Sequence, residues 1–222
     1  PPRSTLFPYT TLFRSDSAYV GPTIPATTPP PFGAANDVRV IPVNDLARLD
    51  SVPKQYVIVG SGKTATDAIV WLLTNGVAPD RIVWARPREP WMLNRAVVQP
   101  NPVIALGLAA DTMAAAADAE SLDDLFLRLE AAEVVFRIDR AVPATMAKTP
   151  TLGAWELDLL RQIENVVRLG HVKGVVQGEM LLDRGAVSLE RDALVVHCAA
   201  SGLQYPPLVP IWGSDRIRLQ TI

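Results

Sequence analysis

Residues 56–67 read YVIVGSGKTATD, and the fold of the chain is decided there. Four apolar or aromatic residues, Tyr56, Val57, Ile58 and Val59, stop at Gly60. Ser61, Gly62, Lys63, Thr64 and Ala65 follow, and a helical pattern begins. Gly60, Gly62 and Ala65 fit G-x-G-x-x-G/A. In a strand–turn–helix setting, Gly60 permits the tight turn and Gly62 lets a diphosphate approach the backbone. Ala65 lets the helix lie close on the strand. The helix is legible from Ala65, Ala68, Ile69, Leu72 and Leu73, which fall on one stripe, and from the stop at Asn75 and Gly76.

Two other readings of the same residues exist. Gly62-Lys63-Thr64 is also the end of a phosphate-binding loop, G-x-x-x-x-G-K-[ST]. That loop needs glycine at position 57, where Val57 stands, and a longer turn than this one. The other is a structural glycine turn with no ligand.

A second strand is expected at residues 81–85, RIVWA, at dinucleotide-site spacing from Gly62. An NAD site wants an acid at the end of that strand, for the ribose hydroxyls. This chain has Arg86-Pro87-Arg88, and guanidinium groups suit a 2′-phosphate, so NADP is expected over NAD.

The remaining chain bounds the function from outside. Its 222 residues suffice for one or two domains with a real core. A net charge of -2 points to neither nucleic acid nor an anionic membrane. Cys198 is the single cysteine, which excludes an internal disulfide and fits a reducing, cytoplasmic location. No run of apolar residues approaches a membrane span. Ten of the 20 prolines lie within the first 53 residues, so an extended, irregular start is expected.

Residues 5–15, TLFPYTTLFRS, read like an in-frame translation of a short-read sequencing adaptor, and residues 1–15 are set aside from fold reasoning. Short strands are expected at Ala18-Tyr19-Val20 and at Val38-Arg39-Val40-Ile41, with Asn44 capping a short helical turn, all within a surface connector over 16–53. The first strand–helix–strand unit occupies 54–90. Residues 91–167 read as a helical insertion. Ser121 and Asp124 open one helix, with Leu122, Leu125, Phe126 and Leu129 on its inner face; Trp155, Leu159, Ile163 and Val166 mark another. Trp91, Asn94 and Arg95 either face a nicotinamide or substrate, or anchor the insertion. Return strands occupy 168–198, with a hairpin at Arg184-Gly185 and a buried strand ending at His197-Cys198. His197 and Cys198 are adjacent and so face opposite sides of a strand, which excludes them as a catalytic pair; a metal site is not expected.

This order of elements resembles the two-dinucleotide-fold flavoprotein oxidoreductases, most of all the flavin-containing monooxygenase-like branch, over roughly residues 16–208. The resemblance implies an α/β fold: a Rossmann-like NAD(P)-binding domain with a helical insertion, set into an FAD-binding domain represented here by partial strands. It implies that 16–53 leads out of an FAD-binding domain and that 199–222 begins the return to it, both ends being truncated. It implies NADP and FAD as cofactors, hydride passing from one to the other, with the FAD fingerprint lying upstream. Cys198-Ala199-Ala200-Ser201-Gly202 is the counterpart of the family's Ala-Thr-Gly return motif, so Ser201 and Gly202 are expected near the flavin. Cofactor contacts are expected at Gly60, Ser61, Gly62, Lys63, Thr64, Ala65, Arg86 and Arg88. No general base or nucleophile is expected, and the substrate is not specified. A flavin-free NAD(P)-dependent dehydrogenase or a nucleotide-sensing module is the alternative; no Tyr-x-x-x-Lys pair is present to serve the former.

Overall fold

The structure is a computed structural model that describes residues 15–16, 22–200, 202–203 and 208–218. The expected strand at residues 18–20 lies outside the described residues. In chain order the strands are β1 (Ser15–Asp16), β2 (Pro22–Thr23), β3 (Gly33–Ala34), β4 (Arg39–Pro42), β5 (Tyr56–Val59), β6 (Ile82–Ala85), β7 (Glu89–Asn94), β8 (Val135–Phe136), β9 (Ala144–Leu152), β10 (Val166–Val167), β11 (Val172–Val176), β12 (Glu179–Leu182), β13 (Gly185–Ser188), β14 (Leu194–His197), β15 (Gly202–Leu203) and β16 (Ile217–Arg218). The helices are α1 (Lys63–Thr74), α2 (Pro102–Asp118), α3 (Leu122–Ala131) and α4 (Ala154–Leu160).

The chain divides into two units. One comprises residues 1–29 and 200–222, where β1 pairs with β16 in parallel and β2 with β15 antiparallel. The other, residues 30–199, holds the main core.

At the centre of the main unit is a five-stranded, wholly parallel sheet ordered β10-β6-β5-β14-β4. Alternation along its strands sends side chains to two different cores. Tyr56, Ile58, Ile82, Trp84, Leu194 and Val196 pack with Ala65, Ile69 and Leu72 of α1 and Leu157 and Leu160 of α4. Val57, Val59, Val83, Ala85 and Val195 pack with Val172, Val175, Met180 and Leu182 of a second sheet, ordered β13-β12-β11-β3. Both faces are covered, so β5 and β6 are apolar throughout and fully buried. This is a Rossmann-like α/β arrangement, three layers deep.

The insertion after β6 is only partly helical. Strands β8, β7 and β9 form their own sheet, and Trp91, Ala115, Leu129, Val134 and Val135 form a separate small core with α2 and α3. The Ser121 hydroxyl accepts from the Asp124 amide at 3.1 Å, as its cap position predicts. Asp124 in turn accepts from the Glu120 amide, at 3.0 Å. Leu122 is 69% exposed, however, so the inner face of α3 begins only at Leu125. The helix expected from Trp155 to Val166 stops at Leu160. Trp155 is exposed, Ile163 is buried beyond the helix end, and Val166 enters β10 beside Trp84.

The strand expected at 38–41 is β4, Arg39–Pro42, but it does more than connect: exposed at Arg39 and half-buried beyond, it is the edge strand that closes the parallel sheet against β14, and Leu46 in the following 3-10 turn is buried in the core. That turn has no side-chain cap; Asn44 does not serve as one.

Candidate functional site

Strand order reverses at β5: β6 lies on one side and β14, more than a hundred residues later, on the other. In open α/β sheets the crevice at such a reversal, outside the carboxyl ends of the strands, is where ligands bind. Gly60 sits at that point. Its φ is +147°, and a Cβ there would lie 3.0 Å from the carbonyl oxygen of Cys198 at the end of β14. Only glycine meets both demands. The turn is tied down on three sides. The Gly60 amide donates to Ala85 O at 3.1 Å, the Cys198 amide donates to Val59 O at 2.9 Å, and the Trp84 indole donates to Gly60 O at 2.8 Å.

Gly62 is the N-cap of α1, with φ −97° and no side-chain capping bond. The first-turn amides of a helix have no acceptor within it, and the helix dipole places partial positive charge there. No acid occupies the first turn of α1. Ala65, fully buried, brings the helix against the sheet. The turn therefore fits a diphosphate: amides of Lys63 and Thr64 at an uncapped helix start, with Ser61 and Gly62 half-buried beside them.

The side chain of Lys63 goes elsewhere. Its Nζ pairs with Asp67 one turn along and with Glu156 Oε1 at 3.2 Å. Glu156 is 4% exposed and also holds Arg95, whose Nη1 lies 2.9 Å from Oε2. Its Oε2 accepts from the Gly153 amide at 2.5 Å, at the start of α4. Burial alone would raise the Glu156 pKa; the Gly153 amide, Lys63 and Arg95 outweigh it, and the carboxyl is held below its ordinary value. Glu156 thus links α1, α4 and the end of β7.

Arg86 departs most from expectation. It follows β6 as the sequence implies but is turned inward, 1% exposed, and is not offered to a surface phosphate. Its guanidinium stacks over Trp84 at 4.2 Å and one nitrogen pairs with Glu89 at 3.0 Å. Glu89, with no exposed surface, also accepts from the Ile138 and Asp139 amides at 2.8 and 3.0 Å. Arg168 approaches Glu89 at 3.4 Å and Asp139 at 2.9 Å. The inward turn follows from the acid three residues on, a partner the sequence contains and the motif reading passed over. Arg88 is exposed.

Trp91 and Asn94 belong to the insertion's own packing. Trp91 stacks on Phe126 at 5.4 Å, and Asn94 donates to Glu133 O at 2.8 Å. His197 and Cys198 do face opposite cores. His197 meets Phe32 edge-on, and burial pushes its pKa down. Cys198 packs on the α1 side, and burial, with Asp67 nearby, pushes its thiol up to about 12. Among the described residues no group of His, Cys, Asp and Glu could hold a metal ion. No helix among them is long and apolar enough to cross a membrane. Ser201 lies outside the described residues; Gly202 opens β15, which belongs to the other unit.

No family model matches the sequence. The chain is 36% identical over 210 residues to an uncharacterized protein of Mycobacterium tuberculosis (strain ATCC 25618 / H37Rv), and equally to one of Mycobacterium bovis. The match takes in 93% of this chain and 39% of each relative, so the chain spans about two fifths of their length. Solved structures that resemble it include an ornithine N-hydroxylase of Kutzneria sp. 744 and L-lysine 6-monooxygenase from Pseudomonas syringae. The former has a TM-score of 0.41 at 15% identity, covering 85% of this chain and 45% of that one. The latter has a TM-score of 0.39 at 15% identity, covering 88% and 47%.

Proposed function

We propose that this chain binds NADP and forms the nicotinamide-binding portion of an FAD- and NADPH-dependent oxidoreductase of the monooxygenase type. One observation carries the reading: the glycine turn lies where strand order reverses, pressed on Cys198, and opens onto a helix start with no cap of its own. The Gly60–Ala65 fingerprint and the flavoprotein-like order of elements supply the cofactor class.

In this reading the amides of Lys63 and Thr64 hold the diphosphate, while Gly60, Ser61, Gly62 and Ala65 shape the turn. Arg88, exposed just past β6, meets the 2′-phosphate; Arg86 behind it is committed to Glu89. Glu156 keeps Lys63 off the diphosphate path, so that contact is made by backbone. When bound, NADPH supplies a hydride and FAD accepts it; the residues of this chain bind and orient. Ser201 and Gly202 are assigned to the flavin side.

Fluorescence titration with NADPH and NADH tests the assignment. Loss of one charge-assisted phosphate contact corresponds to about tenfold in affinity or more. Arg88→Ala should weaken NADPH by that factor and leave NADH unchanged. Equal effects on both would remove Arg88 from the 2′-phosphate.

A further inference from the structure

Beside the edge strand β10 and the end of β6 lies an open cavity of about 270 Å³. Leu160, Ile163 and Val166 form its apolar wall; Arg86, Arg140 and Arg161 line it, with Asp139 the single acid among them. We propose that this cavity is a binding site for a phosphate-type oxyanion, free or as a monoester.

Three observations support the site. The first is an unfilled bonding capacity. Arg86 is 1% exposed, yet its Nε and Nη1 have no hydrogen-bond partner in the protein. Buried polar groups are nearly always satisfied, and an exception calls for a water, an ion or a ligand. The neighbouring carboxylates are already engaged. Glu89 takes two amides and two arginines, and Asp139 takes Arg168 and the Ala141 amide. The second is charge. Arg86, Arg140 and Arg161 line the cavity with Asp139, and Arg168 reaches Asp139 and Glu89. Arg140 reaches a further acid, Glu130, only at 3.5 Å, and Glu130 is already held by Arg137 at 2.5 Å. Burial pulls the Arg86 pKa down to about 10, with Glu89 acting the other way, so the group keeps its charge at neutral pH. The third is size. The cavity falls just below the roughly 300 Å³ at which drug-sized pockets begin, so it suits a small anion and not a whole dinucleotide.

Arg161 is fixed by the wall itself: its Nε and Nη2 donate to Ile138 O and Arg137 O, each at 3.0 Å. Arg140 is two-thirds exposed at the rim, with only a long ion pair, 3.5 Å, to Glu130. The arrangement is a buried cation, a rim cation braced on the backbone, and an exposed one loosely paired with Glu130. Neither Arg140 nor Arg161 belongs to the glycine turn, so the site does not rest on the dinucleotide assignment.

Isothermal titration with inorganic phosphate at constant ionic strength tests it, using the intact chain and the Arg140→Gln, Arg161→Lys and Arg161→Gln variants. Arg140→Gln removes an exposed guanidinium and its long ion pair to Glu130; circular dichroism and an unchanged melting temperature without phosphate confirm its fold. The wild type should bind phosphate saturably at one site, and Arg140→Gln should weaken it at least fivefold. Arg161→Lys should retain more affinity than Arg161→Gln. Adenosine 2′-monophosphate then separates the sources. Competition with inorganic phosphate, lost in Arg140→Gln, identifies a nucleotide monoester as occupant; failure to compete identifies free phosphate. Absence of saturable phosphate binding, or equal binding by wild type and Arg140→Gln, overturns the proposal. So does a crystal grown in phosphate that shows only water beside Arg86. Gly62→Val should leave phosphate binding intact, which keeps this test apart from that of the turn.

Discussion

Gly60 and Cys198 are in backbone contact across the point where the parallel sheet reverses its order: a Cβ on Gly60 would stand 3.0 Å from the Cys198 carbonyl oxygen and 3.1 Å from its carbonyl carbon. Two segments 138 residues apart thus set the width of the crevice. Gly60→Ala meets a backbone wall and an unfavourable φ of +147° together. It should cost about 2 kcal/mol or more of unfolding free energy, measured by urea denaturation. A loss within error of zero would show that β14 does not lie against the turn.

Trp84 holds the same turn from the other side. Trp84→Phe keeps most of the ring but removes the donor to Gly60 O, leaving a buried carbonyl with one bond fewer. The expected cost is about 1–3 kcal/mol in the same denaturation assay. Retention of wild-type stability would mean that the indole nitrogen finds its partner elsewhere.

Much of this architecture is legible from local sequence. The apolar run of β5, the glycine turn, the stripe of α1 and the Gly76 stop are short-range signals, and each falls where the periodicity puts it. The hairpin between β12 and β13 is legible for the same reason, although its turn falls at Asp183-Arg184, one residue before the expected Arg184-Gly185, and Gly185 already pairs with Leu182. Long-range pairing is where the reading fails. Residues 38–41 are legible as a strand but not as part of the main sheet, because their partner, β14, lies some 155 residues downstream. Helix α2 is missed because it has no stripe: Val103, Leu106 and Met113 are all more than two-thirds exposed, and only Ala115 is buried. The stretch from Trp155 to Val166 carries a helical period by coincidence, since its last apolar residues serve the loop and β10. Arg86 shows the limit of motif reading at the site. Its position matched, but Glu89 three residues on decides where its charge goes.

Stability should fall in acid through Glu156. Its pKa is held below the ordinary 4.5 in the folded protein, so the folded state binds its proton less readily than the unfolded chain does. The stabilisation is therefore present above about pH 4.5 and is lost as pH falls through the lower folded value. Glu130 and Asp139, also depressed, add in the same direction. Melting temperature followed from pH 7 to 3 should drop more steeply for the wild type than for Glu156→Gln. Parallel curves would remove Glu156 from the acid response.

Cys198 should be chemically silent in the folded protein. With a thiol raised to about 12 and 7% exposure, it offers almost no thiolate at pH 8. A chromogenic disulfide reagent should titrate one thiol in denaturant and none within an hour under native conditions. Rapid native labelling would show that the end of β14 is open.

If the backbone of the glycine turn grips a dinucleotide diphosphate, the branched side chain of Gly62→Val blocks it. Gly62 has φ −97°, which valine adopts without strain, so the variant should fold with wild-type circular dichroism and melting behaviour. Fluorescence titration should then show NADPH binding to the wild type and none to the variant. Equal NADPH affinity in Gly62→Val and the wild type would show that the turn does not hold the diphosphate.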